Sequence, residues 1–114
     1  MSMKISTRNV GDVVILDIKG KITLGTGDII LRDRIHQLVN DKAKKIIINL
    51  KDVNYIDSSG IGELVSCHTT VSKAKGKLVL LNMTSKIKDL LQITQLIKVF
   101  DNYNDEDEAI KSFK

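Results

Sequence analysis

The chain has 114 residues, a length that fits one domain and allows about 65% of the unfolded surface to be buried in a single core. Hydrophobic residues make up 42% and charged residues 28%, which excludes a disordered, collagen-like or coiled-coil chain. No apolar run approaches the roughly 18 residues of a membrane helix, and residues 1–8 lack the apolar core of a signal peptide. We therefore expect one cytoplasmic domain over residues 1–114.

The net charge of +4 raises the question of an anionic partner. The lysines form short clusters at predicted helix edges and turns, and aromatic residues are only 4% of the chain, without tryptophan. The stacking platforms of single-strand nucleic-acid binders are therefore missing. We interpret the lysines as solvated surface and expect no direct contact with nucleic acid or a membrane.

The content of cysteine and histidine argues against a structural metal site. Cys67 is the single cysteine, so it has no partner for an internal disulfide. Together with His36 and His68 it supplies too few soft ligands for structural zinc. We expect no bound metal.

The first forty residues predict two strands, a loop and a helix. β-branched and apolar residues indicate antiparallel strands at 4–10 and 13–18. Glycines favour a loop at 20–27. Apolar residues at helical spacing then predict a helix over 28–40, with Asp28 as its N-cap.

The rest of the chain predicts strands that alternate with helices. The expected elements are a central strand at 46–50, a loop at 51–57, a helix at 59–75, a strand at 78–81, a short helix capped by Thr84, a strand at 99–100 and a helix that begins with the acidic residues 105–108. This order predicts an α/β fold with a mixed sheet of four to five strands, parallel at its centre, packed against about four helices.

The junction between the central strand and the next helix carries the most informative motif, Asp57-Ser58-Ser59-Gly60-Ile61-Gly62. Asp57 or Ser58 can accept hydrogen bonds from the free amides of the first helical turn. The two glycines leave the backbone open to close approach by another molecule. An ordinary helix N-cap explains the spacing equally well, so the motif alone does not decide between structure and function.

Four further segments fit the sequence pattern to which this motif belongs. They are an apolar strand at 47–50, a short apolar stretch at 53–56, a strand led by glycine at 76–82 and a closing strand at 99–101. With them, the chain resembles the STAS domain, and specifically the bacterial anti-anti-sigma factors, also called anti-sigma factor antagonists. The resemblance implies a single STAS domain and extends over nearly the whole chain.

The resemblance implies a regulatory protein that is not an enzyme and needs no cofactor of its own. In that family the serine after the aspartate accepts a phosphoryl group, and this serine is Ser58 here. The unphosphorylated protein binds an anti-sigma factor that is also a serine kinase, which frees the sigma factor. Phosphorylation by this kinase, with ATP bound to the kinase, breaks the complex, and a metal-dependent serine phosphatase restores it.

The resemblance also implies which residues meet the partner: Thr23, Asp57, Ser58, Ser59, Gly60, Ile61 and Gly62. We expect the first loop to lie beside Ser58 and Ile61 to provide apolar contact area. Thr23 stands where many relatives have an acidic residue that helps to meet the partner, so the class of kinase remains open.

The residues bear on three alternative functions. A serine hydrolase would need a glycine two residues before Ser58, where Ile56 stands, and a base nearer than His68, which lies about 15 Å along the predicted helix. A nucleotide-binding module is suggested by the glycines at 20–27, although no phosphate-loop motif is completed. A STAS scaffold subunit of a signalling or transport complex, never phosphorylated at Ser58, is the third.

Overall fold

The structure, a computed structural model that describes residues 3–114, has five strands and four α-helices in this range. They are β1 (Lys4–Val10), β2 (Val13–Ile22), α1 (Gly27–Asn40), β3 (Lys45–Ile56), α2 (Ser58–Lys73), β4 (Lys77–Leu81), α3 (Ser85–Ile93), β5 (Asn102–Tyr103) and α4 (Glu106–Lys111), with a 3₁₀ turn at Ile97–Val99. No helix in residues 3–114 has the length and apolar character needed to cross a membrane.

The strands form one mixed sheet in the order β1-β2-β3-β4-β5. The β1–β2 hairpin is antiparallel, and the other three pairs are parallel. β3 lies at the centre, and its residues Ile46, Ile47 and Ile48 have no exposed surface because both faces of this strand are covered. The predicted α/β fold with a parallel centre is confirmed.

Alternate side chains of the strands supply two hydrophobic cores. On one face α1, α2 and α3 pack on the sheet, with Leu16, Ile48 and Leu64 fully buried between them. On the other face Ala109 of α4 covers Ile15 and Ile47. Each buried Leu or Ile stabilises the fold by about 1.5–3 kcal/mol relative to an exposed one, so both layers hold the central strands in place.

Strands β2 and β3 are longer than the sequence predicts. The predicted loop at 51–57 is largely strand, and the predicted loop at 20–27 is strand as far as Ile22. β2 continues to Ile22 and β3 to Ile56. Irregular pairing interrupts their ladder after Asp17 and again after Gly20. Such bulges break the alternation of apolar and polar residues, which is the sequence signal of a strand.

Two other predicted boundaries are wrong. Residues 99–100 are not a strand. Val99 ends the 3₁₀ turn, and Phe100 is apolar because it packs into the core after that turn. The last strand is Asn102–Tyr103. Asp28 lies inside the first turn of α1, and Thr26 is the N-cap. The helix begins one residue early because Gly27 packs on β2, where an added Cβ would lie 2.8 Å from the Ile22 Cα atom.

Candidate functional site

The motif residues and the first loop meet at the carboxyl ends of two neighbouring parallel strands. Ile22 at the end of β2 pairs with Ile56 at the end of β3, so Thr23 and Asp57 both begin connections at the same edge of the sheet. Loops at the carboxyl ends of parallel strands are where α/β folds place binding residues.

Asp57 joins these two connections through hydrogen bonds. Its Oδ1 atom accepts from the backbone N–H of Gly60 at 2.8 Å, which caps α2. Its Oδ2 atom accepts from the backbone N–H of Leu24 at 3.0 Å. The bond from Gly60 has the larger effect and the bond from Leu24 the smaller one, and together they hold the pKa of the Asp57 carboxyl below its ordinary value. The group is therefore ionised at neutral pH. The first loop therefore lies beside Ser58, as predicted.

Ser58 is the first residue of α2, and it is exposed. Ser59 is half-buried. A Cβ added to Gly62 would meet no atom within 4 Å, so the surface one turn beyond Ser58 is open to solvent. A partner can therefore reach the Ser58 hydroxyl and the neighbouring backbone without any rearrangement of the helix.

Gly60 and Ile61 serve the packing of α2. A Cβ on Gly60 would lie 2.6 Å from Cγ1 of Ile56 and still closer to the Ile22 carbonyl oxygen. Glycine is therefore required for α2 to start against β2 and β3. Ile61 is 4% exposed, so it cannot supply the broad apolar contact area expected from the sequence.

The exposed apolar surface near Ser58 comes instead from residues that the sequence did not single out. A groove of about 410 Å³ runs beside Ser58 between the end of β3, the start of α2 and α3. Leu90 and Leu96 line it, and Tyr55 at its edge is 45% exposed. Leu24, which Asp57 holds in place, is 72% exposed. Tyr55 and Leu24 thus flank the motif with apolar surface.

Thr23 organises the first loop and is half-buried. Its carbonyl oxygen accepts hydrogen bonds from the amides of Thr26 and Asp28, and its hydroxyl lies 3.3 Å from that of Thr26. These bonds close the turn that leads into α1. The outermost group of the loop is Leu24, so this loop presents an apolar side chain rather than a charge.

The glycines that suggested a nucleotide site have local structural roles. Gly20 and Gly25 have φ angles of 109° and 83°, a region that favours glycine. Gly27 packs on the backbone of β2. The backbone thus accounts for all three glycines without a phosphate ligand.

His68 is far from Ser58. Both residues lie on the continuous helix α2, ten positions or about 15 Å apart along its axis. The His68 ring packs edge-on against Phe100, with 5.5 Å between the ring centroids. His68 therefore has a packing role and cannot act as a base for the Ser58 hydroxyl.

A carboxylate that the sequence analysis missed, that of Glu63, directly follows the motif. Glu63 is 6% exposed, and its Oε1 atom is 3.0 Å from both Nε and Nη2 of Arg32 on α1. Its Oε2 atom accepts from Sγ of Cys67 at 3.5 Å. One sequence feature could have revealed Glu63: it lies four residues before Cys67, so the two side chains share one face of the helix. This cluster ties α1 to α2.

The residues described do not assemble a metal site. Within residues 3–114 no three His, Cys, Asp or Glu side chains lie close enough together to hold a metal ion. Two carboxylates at the acidic start of α4 have partners within the protein. Asp105 caps the helix by accepting from the Glu108 amide at 3.0 Å, and Glu106 forms an ion pair with Arg8 at 2.8 Å.

Similar sequences and structures are found among known proteins. The family model of the STAS domain matches residues 4–109. The anti-sigma-B factor antagonist of Bacillus subtilis is 30% identical over 101 residues, which are 89% of this chain and 91% of that protein. The resemblance inferred from the motif is confirmed.

Two solved structures share the fold. An anti-sigma factor antagonist from Mycobacterium paratuberculosis superposes with a TM-score of 0.85 at 22% identity, covering 97% of this chain and 93% of its own. The Bacillus cell fate determinant SpoIIAA in the phosphorylated form has a TM-score of 0.74 at 21% identity, covering 97% of this chain and 100% of its own.

Proposed function

Because the chain belongs to the STAS domain family, we propose that it is an anti-sigma factor antagonist switched by phosphorylation of Ser58. The unphosphorylated form binds an anti-sigma factor that is also a serine kinase, and this binding frees a sigma factor. The observation that carries the proposal is the exposed Ser58 hydroxyl at the start of α2, next to the ionised Asp57 and flanked by apolar surface.

The relatives support the same role. The Bacillus subtilis protein that is 30% identical is an anti-sigma-B factor antagonist. A phosphorylated form has been solved for SpoIIAA, so a protein of this fold carries a phosphoryl group. Under our proposal the phosphoryl group of the present chain is carried by Ser58, the serine that the family resemblance implies.

Phosphorylation weakens the complex through local charge. A phosphoryl group on Ser58 adds about −1.5 to −2 charges beside the Asp57 carboxylate. In the free protein the start of α2 offsets part of this repulsion, since a helix N-terminus favours an anion by about 0.3–1 kcal/mol. At a packed interface both anions lose water. A penalty of about 3–4 kcal/mol there lowers affinity several hundredfold, because each ~1.4 kcal/mol is a factor of ten.

In this proposal the kinase and the phosphatase carry out the chemistry at Ser58. Ser58 has no base within reach in α2, since His68 is about 15 Å away, and a kinase supplies that base itself. ATP is then bound by the kinase, and this chain acts as a protein substrate without a cofactor. A serine phosphatase removes the phosphoryl group. The exposed Leu24 and Tyr55 replace acidic contacts as the anchors offered to the partner.

The test joins site mapping with partner capture. The protein is isolated from its native cell with phosphatases inhibited, and intact mass and peptide mapping locate any phosphoryl group. Immobilised Ser58→Ala, Ser58→Asp and, as a matched control, Ser66→Ala chains are then used to capture partners from the same cells, Ser66 being an exposed serine of α2 outside the expected partner residues. We expect phosphate on Ser58 and an ATP-binding anti-sigma factor retained by both alanine variants but not by Ser58→Asp.

The opposite result is equally clear. If Ser58 carries no phosphate under any growth condition and Ser58→Asp retains the same partners as wild type, the switch is wrong. The STAS scaffold subunit is then the better description. Saturable binding of ATP or GTP by the isolated chain, lost on changing Gly25 or Gly27 but not Ser58, would instead indicate a nucleotide-binding module.

A further inference from the structure

The end of the molecule opposite Ser58 gathers lysines that are scattered in the sequence. The turns at 41–45 and 73–77 precede the neighbouring strands β3 and β4, and the segment 111–114 ends beside them. The Lys77 amide donates to the Lys44 carbonyl oxygen at 2.7 Å, and Lys77 Nζ donates to the Ser112 carbonyl oxygen at 3.4 Å. We name these three segments the lysine pole.

The lysine pole is far more basic than the remainder of the chain. Its three segments contain eight lysines and one acidic residue, Asp41, whereas the rest has ten basic and thirteen acidic residues. Ion pairs engage Lys45 with Asp12 and Lys77 with Asp101. The other six lysines are exposed and have no ion pair in the described part of the chain: Lys42, Lys44, Lys73, Lys75, Lys111 and Lys114.

Stabilisation of helix ends explains only some of the lysines in the lysine pole. Lys73 and Lys111 lie in the last turns of α2 and α4, where a cation favours the helix dipole. Lys42 and Lys75 instead have φ angles of 66° and 65°. Glycine or asparagine is the usual residue in that conformation, so backbone preference does not explain two lysines there.

Contrary to the expectation from the sequence, in which these lysines are scattered, we propose that the lysine pole docks on the surface of a phospholipid bilayer through its anionic headgroups. Six exposed lysines on one end of a molecule about 24 Å wide complement a plane of negative charge. Val10, at the tip of the β1–β2 hairpin, is 41% exposed and lies across a cleft from Lys45 and Lys114. This apolar side chain can enter the headgroup region beside the lysines.

A bilayer fits the lysine pole better than a nucleic acid does. The pole contains no arginine, the residue with the forked geometry for reading phosphates and bases. Its aromatic residue Phe113 is half-buried under Lys77, whose Nζ is 5.8 Å from the ring centroid. Strands begin and helices end at this surface, so no element projects into a groove.

Docking at this end leaves the Ser58 site accessible. β3 begins at Lys45 in the lysine pole and ends at Ile56, two residues before Ser58. A bilayer and a protein partner can therefore be bound at opposite ends at the same time. This inference does not depend on the proposed switch.

The test uses the purified full chain and lipid vesicles alone. Co-sedimentation compares vesicles of about 30% phosphatidylglycerol in phosphatidylcholine with pure phosphatidylcholine, at about 0.05 and 0.3 M NaCl. The pole variant Lys42→Gln/Lys75→Gln/Lys111→Gln is matched by Lys51→Gln/Lys86→Gln/Lys88→Gln, three exposed lysines outside the pole with the same change in net charge. Thermal unfolding verifies that both variants fold. If the pole variant does not fold, Lys42→Gln/Lys111→Gln and Lys51→Gln/Lys88→Gln replace the pair.

We expect binding only to the anionic vesicles, weaker at the higher salt, and reduced at least about tenfold by the pole variant but not by its control. Equal binding to both kinds of vesicle, or equal loss in the two variants, would overturn the proposal. Tighter binding to duplex DNA than to vesicles at equal phosphate concentration would also overturn it, in favour of a nucleic acid.

Discussion

The Asp57 carboxylate accepts a hydrogen bond from the backbone amide of Leu24, 3.0 Å away and 33 positions earlier in the chain. Its other oxygen caps α2 through the Gly60 amide at 2.8 Å. One side chain therefore sets the first loop and the helix of Ser58 relative to each other. Both parts of the proposed partner surface depend on this carboxylate.

Replacing Asp57 tests this link directly. We expect Asp57→Ala to lower the free energy of unfolding by about 1–2 kcal/mol, because loss of an N-cap alone costs about 0.5–2 kcal/mol. Urea unfolding at neutral pH measures the change. Ser59→Ala is the control, since Ser59 makes no side-chain hydrogen bond in residues 3–114, and it should stay within about 0.5 kcal/mol of wild type. Equal losses in the two variants would contradict the role of Asp57.

The same carboxylate gives stability a pH dependence. Its folded pKa is below the ordinary value of 3.8, so the folded protein binds its proton less readily than the unfolded chain. The contribution is therefore complete above the unfolded pKa and is lost as pH falls through the folded pKa. We expect the stability gap between wild type and Asp57→Asn to shrink from pH 6 to about pH 3. A gap that is constant or grows on acidification would contradict this assignment.

The sequence predicts this capping but not the bonds between distant segments. Asp57 before a helix is a local signal, as is Thr84, whose predicted cap is confirmed. The Leu24 bond depends on β2 extending to Ile22, and bulges hid that part of the strand. Glu63 was not predicted to matter, because its partner Arg32 is 31 positions away in the sequence. Contacts between distant segments determine the Leu24 bond and the burial of Glu63, whereas caps and central strands follow from local sequence patterns.

The two glycines of the motif should respond in opposite ways to alanine. Gly60→Ala forces a Cβ into the end of β2, and we expect a loss of about 1–3 kcal/mol, typical of overpacking. Gly62→Ala meets no atom within 4 Å and adds helix propensity, so we expect a gain of up to about 1 kcal/mol. Chemical denaturation of both variants measures the difference. Similar stabilities would show that α2 does not start against the strands as described.

The Arg32–Glu63 pair should couple more strongly than an exposed pair. Glu63 is 6% exposed, so removing Arg32 leaves a nearly buried carboxylate without its cation. Arg32 itself is 47% exposed, and water weakens the interaction, so we expect a coupling energy well short of that of a fully buried pair. A double-mutant cycle with Arg32→Ala and Glu63→Ala measures it. Lys45 and Asp12, with Asp12 74% exposed, are the matched control, and their coupling energy should be smaller than that of Arg32 and Glu63.

Cys67 should be protected from thiol reagents by the same cluster. Burial first, and then the Glu63 carboxylate, raise the pKa of this thiol, so little reactive thiolate forms near neutral pH. We expect a disulfide reagent at pH 8 to label the folded protein at least about a hundredfold more slowly than the urea-unfolded chain. Arg32→Ala should speed labelling, because loss of its contact with Glu63 lowers the free energy of the opening that exposes Cys67. Labelling of the wild type at the rate of the unfolded chain would contradict the packing of Cys67 against Glu63.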